Sequence, residues 1–131
     1  MKHIAKVFLA LTIASLLLVG PAATAVTNIK TTLSLSANKT QVHKGGKVDF
    51  TIKLKSKNNK CKANQPVKWY RNGVFKKTRT TNSNGVVTFT KGVKATSKYY
   101  TKYAGRKFGT HPNRKNCLAS TSNTVRIKVK S

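Results

Sequence analysis

Acidic side chains are almost missing from this chain. Asp49 is the only aspartate or glutamate, against 27 lysines and arginines, and the formal net charge is +26. Catalysis by paired carboxylates and a carboxylate-built calcium site are excluded on that ground alone. Asp49 itself lies between Lys47 and Thr51, where it is expected to pair with a neighbouring lysine. Histidine and cysteine are also scarce. Only His43 and His111 could join Cys61 and Cys117 as ligands, and the spacing fits no zinc pattern, so no metal site is expected. No Ser-His-acid or Cys-His arrangement and no phosphate-cradling glycine loop is present, which argues against an enzyme and against a cofactor. A sustained helical apolar stripe is missing too.

The one long hydrophobic run stands at the start. Lys2, His3 and Lys6 flank an apolar stretch from Ile4 through Leu18, broken by Gly20-Pro21 and followed by Ala23-Thr24-Ala25. A basic first segment, a short apolar segment and a small-x-small end read as a secretory signal peptide over residues 1–25. The stretch is too short to span a bilayer comfortably, and no second such run follows, so no integral membrane segment is expected. Residues 26–131 then form one small domain carrying 25 of the basic residues and Asp49. In an exported protein, two cysteines are most simply a disulfide between Cys61 and Cys117.

What is plentiful is alternation. Leu33 and Leu35 alternate with serines, and Val48, Phe50, Ile52 and Leu54 alternate with polar residues. Val67 and Trp69, Val87 and Phe89, Tyr99, Thr101 and Tyr103, and Val125, Ile127 and Val129 repeat the pattern. A period of two puts one face of each strand in a core and the other in water. Gly45-Gly46, Asn72-Gly73, Asn84-Gly85 and Ala104-Gly105 punctuate the runs, and Asn72-Gly73 is a strong hairpin signal. Short strands at this spacing predict an all-β, antiparallel β-sandwich of about seven strands.

The segments Gly45 through Ile52, Pro66 through Trp69, Asn84 through Phe89, Tyr99 through Gly105 and Ser122 through Val125 resemble bacterial immunoglobulin-like domains of secreted and surface proteins. The resemblance covers roughly residues 30–130 and implies an immunoglobulin-like sandwich with Trp69 buried on the third strand. It is specific for fold and uninformative about function. The cysteines depart from the antibody pattern, since they lie in connections after the second and sixth strands. Those connections share one end of such a sandwich, so the bond would pin two loops rather than staple the core.

The order implied by the resemblance puts the third, sixth and seventh strands in one sheet. Its outward residues are then Lys68, Tyr70, Lys98, Tyr100, Lys102, Arg126, Lys128 and Lys130, with Arg106 and Lys107 extending the basic ridge toward the cysteine end. The other sheet presents Ser34, Ser36, Lys47, Asp49, Thr51, Lys53, Lys55, Thr88 and Thr90. Solubility asks for a net charge of only about 2–8 on a small domain, so the excess needs a functional account. The segment after residue 25 has 20 lysines and 5 arginines. Lysine acts as a mobile point charge and favours diffuse, sequence-independent attraction. The expected function is a secreted, monomeric module that binds an extracellular polyanion, such as teichoic acid, anionic polysaccharide, lipopolysaccharide or DNA, with Tyr70 and Tyr100 available for stacking. Two alternatives stand beside it. One is a secreted cationic antimicrobial or toxin acting on anionic envelopes, although no amphipathic helix is present for entering lipid. The other is a structural or adhesive domain of the kind the resemblance implies.

Overall fold

The computed structural model describes residues 25–131. The predicted leader lies outside the described residues except for Ala25, which opens the first strand. Twelve strands form: β1 (Ala25–Ile29), β2 (Thr31–Ala37), β3 (Gln41–His43), β4 (Gly46–Ser56), β5 (Pro66–Arg71), β6 (Val74–Thr80), β7 (Val86–Val93), β8 (Ser97–Tyr103), β9 (Arg106–Phe108), β10 (Asn113–Cys117), β11 (Ser120–Thr121) and β12 (Val125–Lys130). One 3-10 turn among the described residues, Asn59–Cys61, interrupts the connection from β4 to β5. Among the described residues, no helix is long and apolar enough to cross a membrane.

Two sheets make the sandwich. One has the order β2-β4-β7 and is antiparallel throughout. The other runs β3-β12-β8-β5-β6, with the short β11 also on β8. The third, sixth and seventh strands of the expected sandwich are β5, β8 and β12, and they share this larger sheet. Alternation decides which side chains meet between the sheets. Leu33 and Leu35 on β2 stand opposite Leu54 and Ile52 on β4, and Phe50 stands opposite Phe89 on β7. From the larger sheet come Val67, Trp69, Tyr99, Tyr103 and Ile127, all buried.

Aromatic rings fill the centre. Trp69 packs edge-on against Phe50 and Phe89 at 4.8 Å and stacks on Tyr99 at 4.9 Å. Such pairs contribute beyond the area they bury, by roughly 0.5–1.5 kcal/mol each. Strand turns are set by backbone conformation. Asn72 and Gly73 both adopt positive φ, 51° and 82°, which makes a primed turn whose twist matches the hairpin β5–β6. Gly85 has φ 82°, and a Cβ there would collide with the Leu54 carbonyl. That glycine lets the turn lie against β4 while its own carbonyl accepts from the Leu54 N–H.

Five strands were not legible as alternation. His43, just before the Gly45-Gly46 turn signal, lies in β3, which pairs parallel with β12. β9, β10 and β1 form a third, small sheet, in which β1 and β10 run parallel and β9 and β10 antiparallel. Their sequences, Arg-Lys-Phe, Asn-Arg-Lys-Asn-Cys and Ala-Val-Thr-Asn-Ile, carry little period-two patterning because most of their side chains face water. The two-residue β11 is too short to carry a pattern at all. The Cys61–Cys117 disulfide ties this small sheet to the 3-10 turn, with both cysteines buried. As expected, the bond joins two connections at one end of the sandwich.

Two stability experiments follow from this core. The disulfide spans 56 residues of sequence, so Cys61→Ala with Cys117→Ala is expected to lower the unfolding free energy by roughly 4 kcal/mol in the chain-entropy model. Chemical denaturation under non-reducing conditions measures it. Thr101 is completely buried on β8, and its hydroxyl has no hydrogen-bond partner among the described residues. Thr101→Val removes a desolvated hydroxyl without changing shape, and stability is expected to rise by about 1 kcal/mol. An unchanged or lowered denaturation midpoint would contradict that reading of the Thr101 site.

Candidate functional site

The outer face of the larger sheet is built by register. Lys68 on β5 stands directly opposite Lys102 on β8, and Tyr70 stands opposite Tyr100. On the other side of β8, Lys98 stands opposite Arg126 of β12. Each of these positions alternates with a buried neighbour, so all six side chains share one surface. The rings of Tyr70 and Tyr100 stack face to face, 4.9 Å apart and within 3° of parallel. The Lys102 ammonium sits 5.4 Å from the Tyr70 ring and 5.9 Å from the Tyr100 ring. Phe75 on β6 extends the row, packing edge-on against Tyr70 at 5.9 Å while half exposed, with the Lys68 ammonium 5.7 Å away. Three aromatic rings interleaved with lysines therefore line this face, Tyr70 and Tyr100 half-buried and Phe75 exposed.

Phe75 escaped the sequence reading for a geometric reason. The register of β5 and β6 shifts between Trp69 and Tyr70, so that Lys76 is the extra residue of a β-bulge. The bulge puts Phe75 beside Tyr70 although Lys77, two positions later, stands opposite the inward Trp69. Simple alternation does not carry across it. A Phe beside an Asn-Gly turn was the only available signal.

The remaining predicted residues fall in two places. Lys128 and Lys130 continue the basic surface along β12, opposite Gln41 and His43 of β3. Arg106 and Lys107 lie on β9 in the small third sheet rather than on this face. The Arg106 Nη1 donates to the Lys60 carbonyl at 3.3 Å, which turns the guanidinium toward the 3-10 turn. A groove of about 780 Å³ opens at that end, with Lys30, Lys55, Lys57 and Lys115 on its walls.

Asp49 does not take the lysine partner expected of it. Its carboxylate accepts from the Thr90 hydroxyl at 2.6 Å and from the Asn38 side chain at 3.4 Å, while its backbone N–H donates to Asn38 Oδ1 at 2.9 Å. Register explains the choice, because Asp49 faces Thr90 across β4 and β7, and the Asn38 bonds hold the end of β2 against β4. Asp49 lies on the outer face of the smaller sheet, so it neutralises nothing on the tyrosine-bearing face. His43 and His111 are placed apart, one on β3 and the other in the turn between β9 and β10. Tyr103 points inward, where burial raises its pKa above the usual tyrosine value, with Arg106 pulling the other way. It stays protonated and donates to the buried Gln65 Oε1 at 2.8 Å, a structural bond beneath the surface.

No protein-family model matches this chain, and no curated protein matches it significantly. The tyrosine-bearing face makes a checkable claim about repulsion. Like charges directly opposite across a sheet are destabilising, on the scale of roughly 0.2–1 kcal/mol for a pair. Lys102→Glu converts the Lys68–Lys102 pair into an attractive one, and its unfolding free energy in low salt is expected to exceed that of the parent by about that amount. The gain should fade as salt screens both pairs.

Proposed function

We propose that this chain is a secreted, non-enzymatic binding module for an extracellular polyanion, held by diffuse electrostatics. In this reading residues 1–25 are an export leader and the domain belongs with bacterial immunoglobulin-like modules. The observation that carries it is the outer face of the larger sheet. Lys68 and Lys102, and Lys98 and Arg126, stand directly opposite one another with no acidic side chain on the same face. Such an arrangement costs stability in the free protein and is relieved when a negative polymer lies across it. The polymer repeats its charge, so neither a single pocket nor a fixed geometry is required, and release of its counterions supplies much of the affinity. The stacked pair Tyr70 and Tyr100, with Phe75, offers flat apolar surface for the sugars or bases between the charges. Teichoic acid, anionic polysaccharide, lipopolysaccharide and DNA all have this chemistry.

The test is retention of the oxidised protein on heparin and on DNA resin across a salt gradient. Strong retention in dilute buffer that collapses over several hundred millimolar salt is expected, with a slope reflecting several released counterions. The polymer should also raise the melting temperature, because it binds the folded state. Failure to bind any such polymer at low ionic strength would overturn the proposal.

A further inference from the structure

The edge strands of the two sheets, β6 and β7, flank a second basic feature. Lys77 on β6 stands opposite Trp69, and Arg79 stands opposite Val67, so both share the inner face with buried residues. On β7, Lys91 stands opposite Val48, which is also buried. Three cations thus point from inner faces into the gap where the sandwich would otherwise close. Arg71 at the end of β5, Lys76 at the bulge and Lys94 just after β7 complete the wall of a cleft of about 370 Å³. That volume lies within the range of small-ligand sites, about 300–1,000 Å³. Trp69 and Tyr99, both buried, lie beneath its floor.

Inward charges on edge strands also guard against edge-to-edge pairing. One lysine per edge is enough for that, and it does not ask for six cations around one concavity. Nothing acidic balances them, since Asp49 is held by Thr90 and Asn38 on the outer face of β4. Arg79 is the most constrained of the set. Its guanidinium lies 3.5 Å over the Phe89 ring, and its Nε is buried without a hydrogen-bond partner. Desolvation by burial pushes its pKa down from the usual arginine value. An anion in the cleft would meet a partly desolvated donor, where charge-assisted bonds are strongest.

We propose that this cleft is a discrete anion site that takes clustered phosphate or sulfate groups. Arg71 and Arg79 supply forked donors, and the four lysines supply mobile charge around closely spaced anionic groups. The inference rests on the polyanion reading and deepens it. The sheet face is a track, and the cleft is the place where the polymer is gripped.

The experiment uses the oxidised protein and two compact probes, inorganic tripolyphosphate and sucrose octasulfate, titrated by calorimetry at about 150 mM salt, where distant surface charges are largely screened. Binding of either probe near one equivalent is expected, and the tighter one identifies the phosphate or sulfate chemistry. Arg79→Gln with Lys91→Gln should weaken it by about tenfold or more. Because Arg79 also covers Phe89, Lys91→Gln with Lys94→Gln provides a pair that leaves the core untouched, and it should lose a comparable factor. Lys47→Gln with Lys53→Gln, which removes the same charge from the outward side of β4, should change affinity by no more than about threefold. Equal losses from all three variants would overturn the cleft and leave only diffuse attraction. Binding of long heparin or DNA without binding of either compact probe would also overturn the cleft, while the polyanion reading stood. Binding of none of the four, with heparin and DNA also tried in dilute buffer, would overturn both.

Discussion

Positive charge repels positive charge across both sheets of this sandwich, and the cohesion opposing it comes from within. Ion pairing cannot supply it, because Asp49 is the one side chain with negative charge and it bonds to Thr90 and Asn38 instead. What remains is apolar burial, backbone ladders and a covalent tie. The ring cluster of Phe50, Trp69, Phe89 and Tyr99 joins the two sheets at their centre. The Cys61–Cys117 bond holds the far end, where the small third sheet has few buried side chains of its own. A protein of this charge can afford repulsion on its surface only because these internal contacts are insensitive to it.

The distribution of charge is uneven in a way that matters. The outer face of the smaller sheet mixes its lysines with serines and threonines, where Thr51 bonds to Thr88 and Thr90 to Asp49. The outer face of the larger sheet instead sets lysines opposite lysine or arginine and surrounds stacked rings with them. A flat, repetitive, cationic surface suits a flexible polymer, for which position along the chain is unimportant. The cleft between β6 and β7 differs from it in kind. It is concave, it contains two of the five arginines in the segment after residue 25, and one of them lies over the Phe89 ring. Track and cleft are separate solutions to the same attraction, one tolerant of any spacing and the other selective for groups that fit.

Much of the sandwich was legible in the sequence, because alternation along β4, β5, β8 and β12 is a direct record of which side faces water. Lys68, Tyr70, Lys98, Tyr100, Lys102 and Arg126 were readable as one surface for that reason. Phe75 was hidden by the bulge at Trp69 and Tyr70, which breaks the period where the reading depended on it. Arg79 was hidden differently. Along the chain it is one more basic residue, and only the neighbouring sheet makes it an inward-facing cation over Phe89. The strands β1, β9 and β10 were invisible because their partners are distant or their side chains polar, so no local pattern records the pairing.

The amino-acid sequence by itself determined the sign of the surface, the strand character of the chain and which residues face inward on the regular strands. Those properties are local or compositional, and they survive any arrangement of the strands. Only the tertiary structure decided which like charges stand opposite one another, that Asp49 bonds to Thr90 and Asn38 rather than lysine, and that six cations on three strands and a loop surround one cleft. Cross-strand register and the meeting of two sheet edges join residues far apart in the chain, and no periodicity along it encodes where they meet.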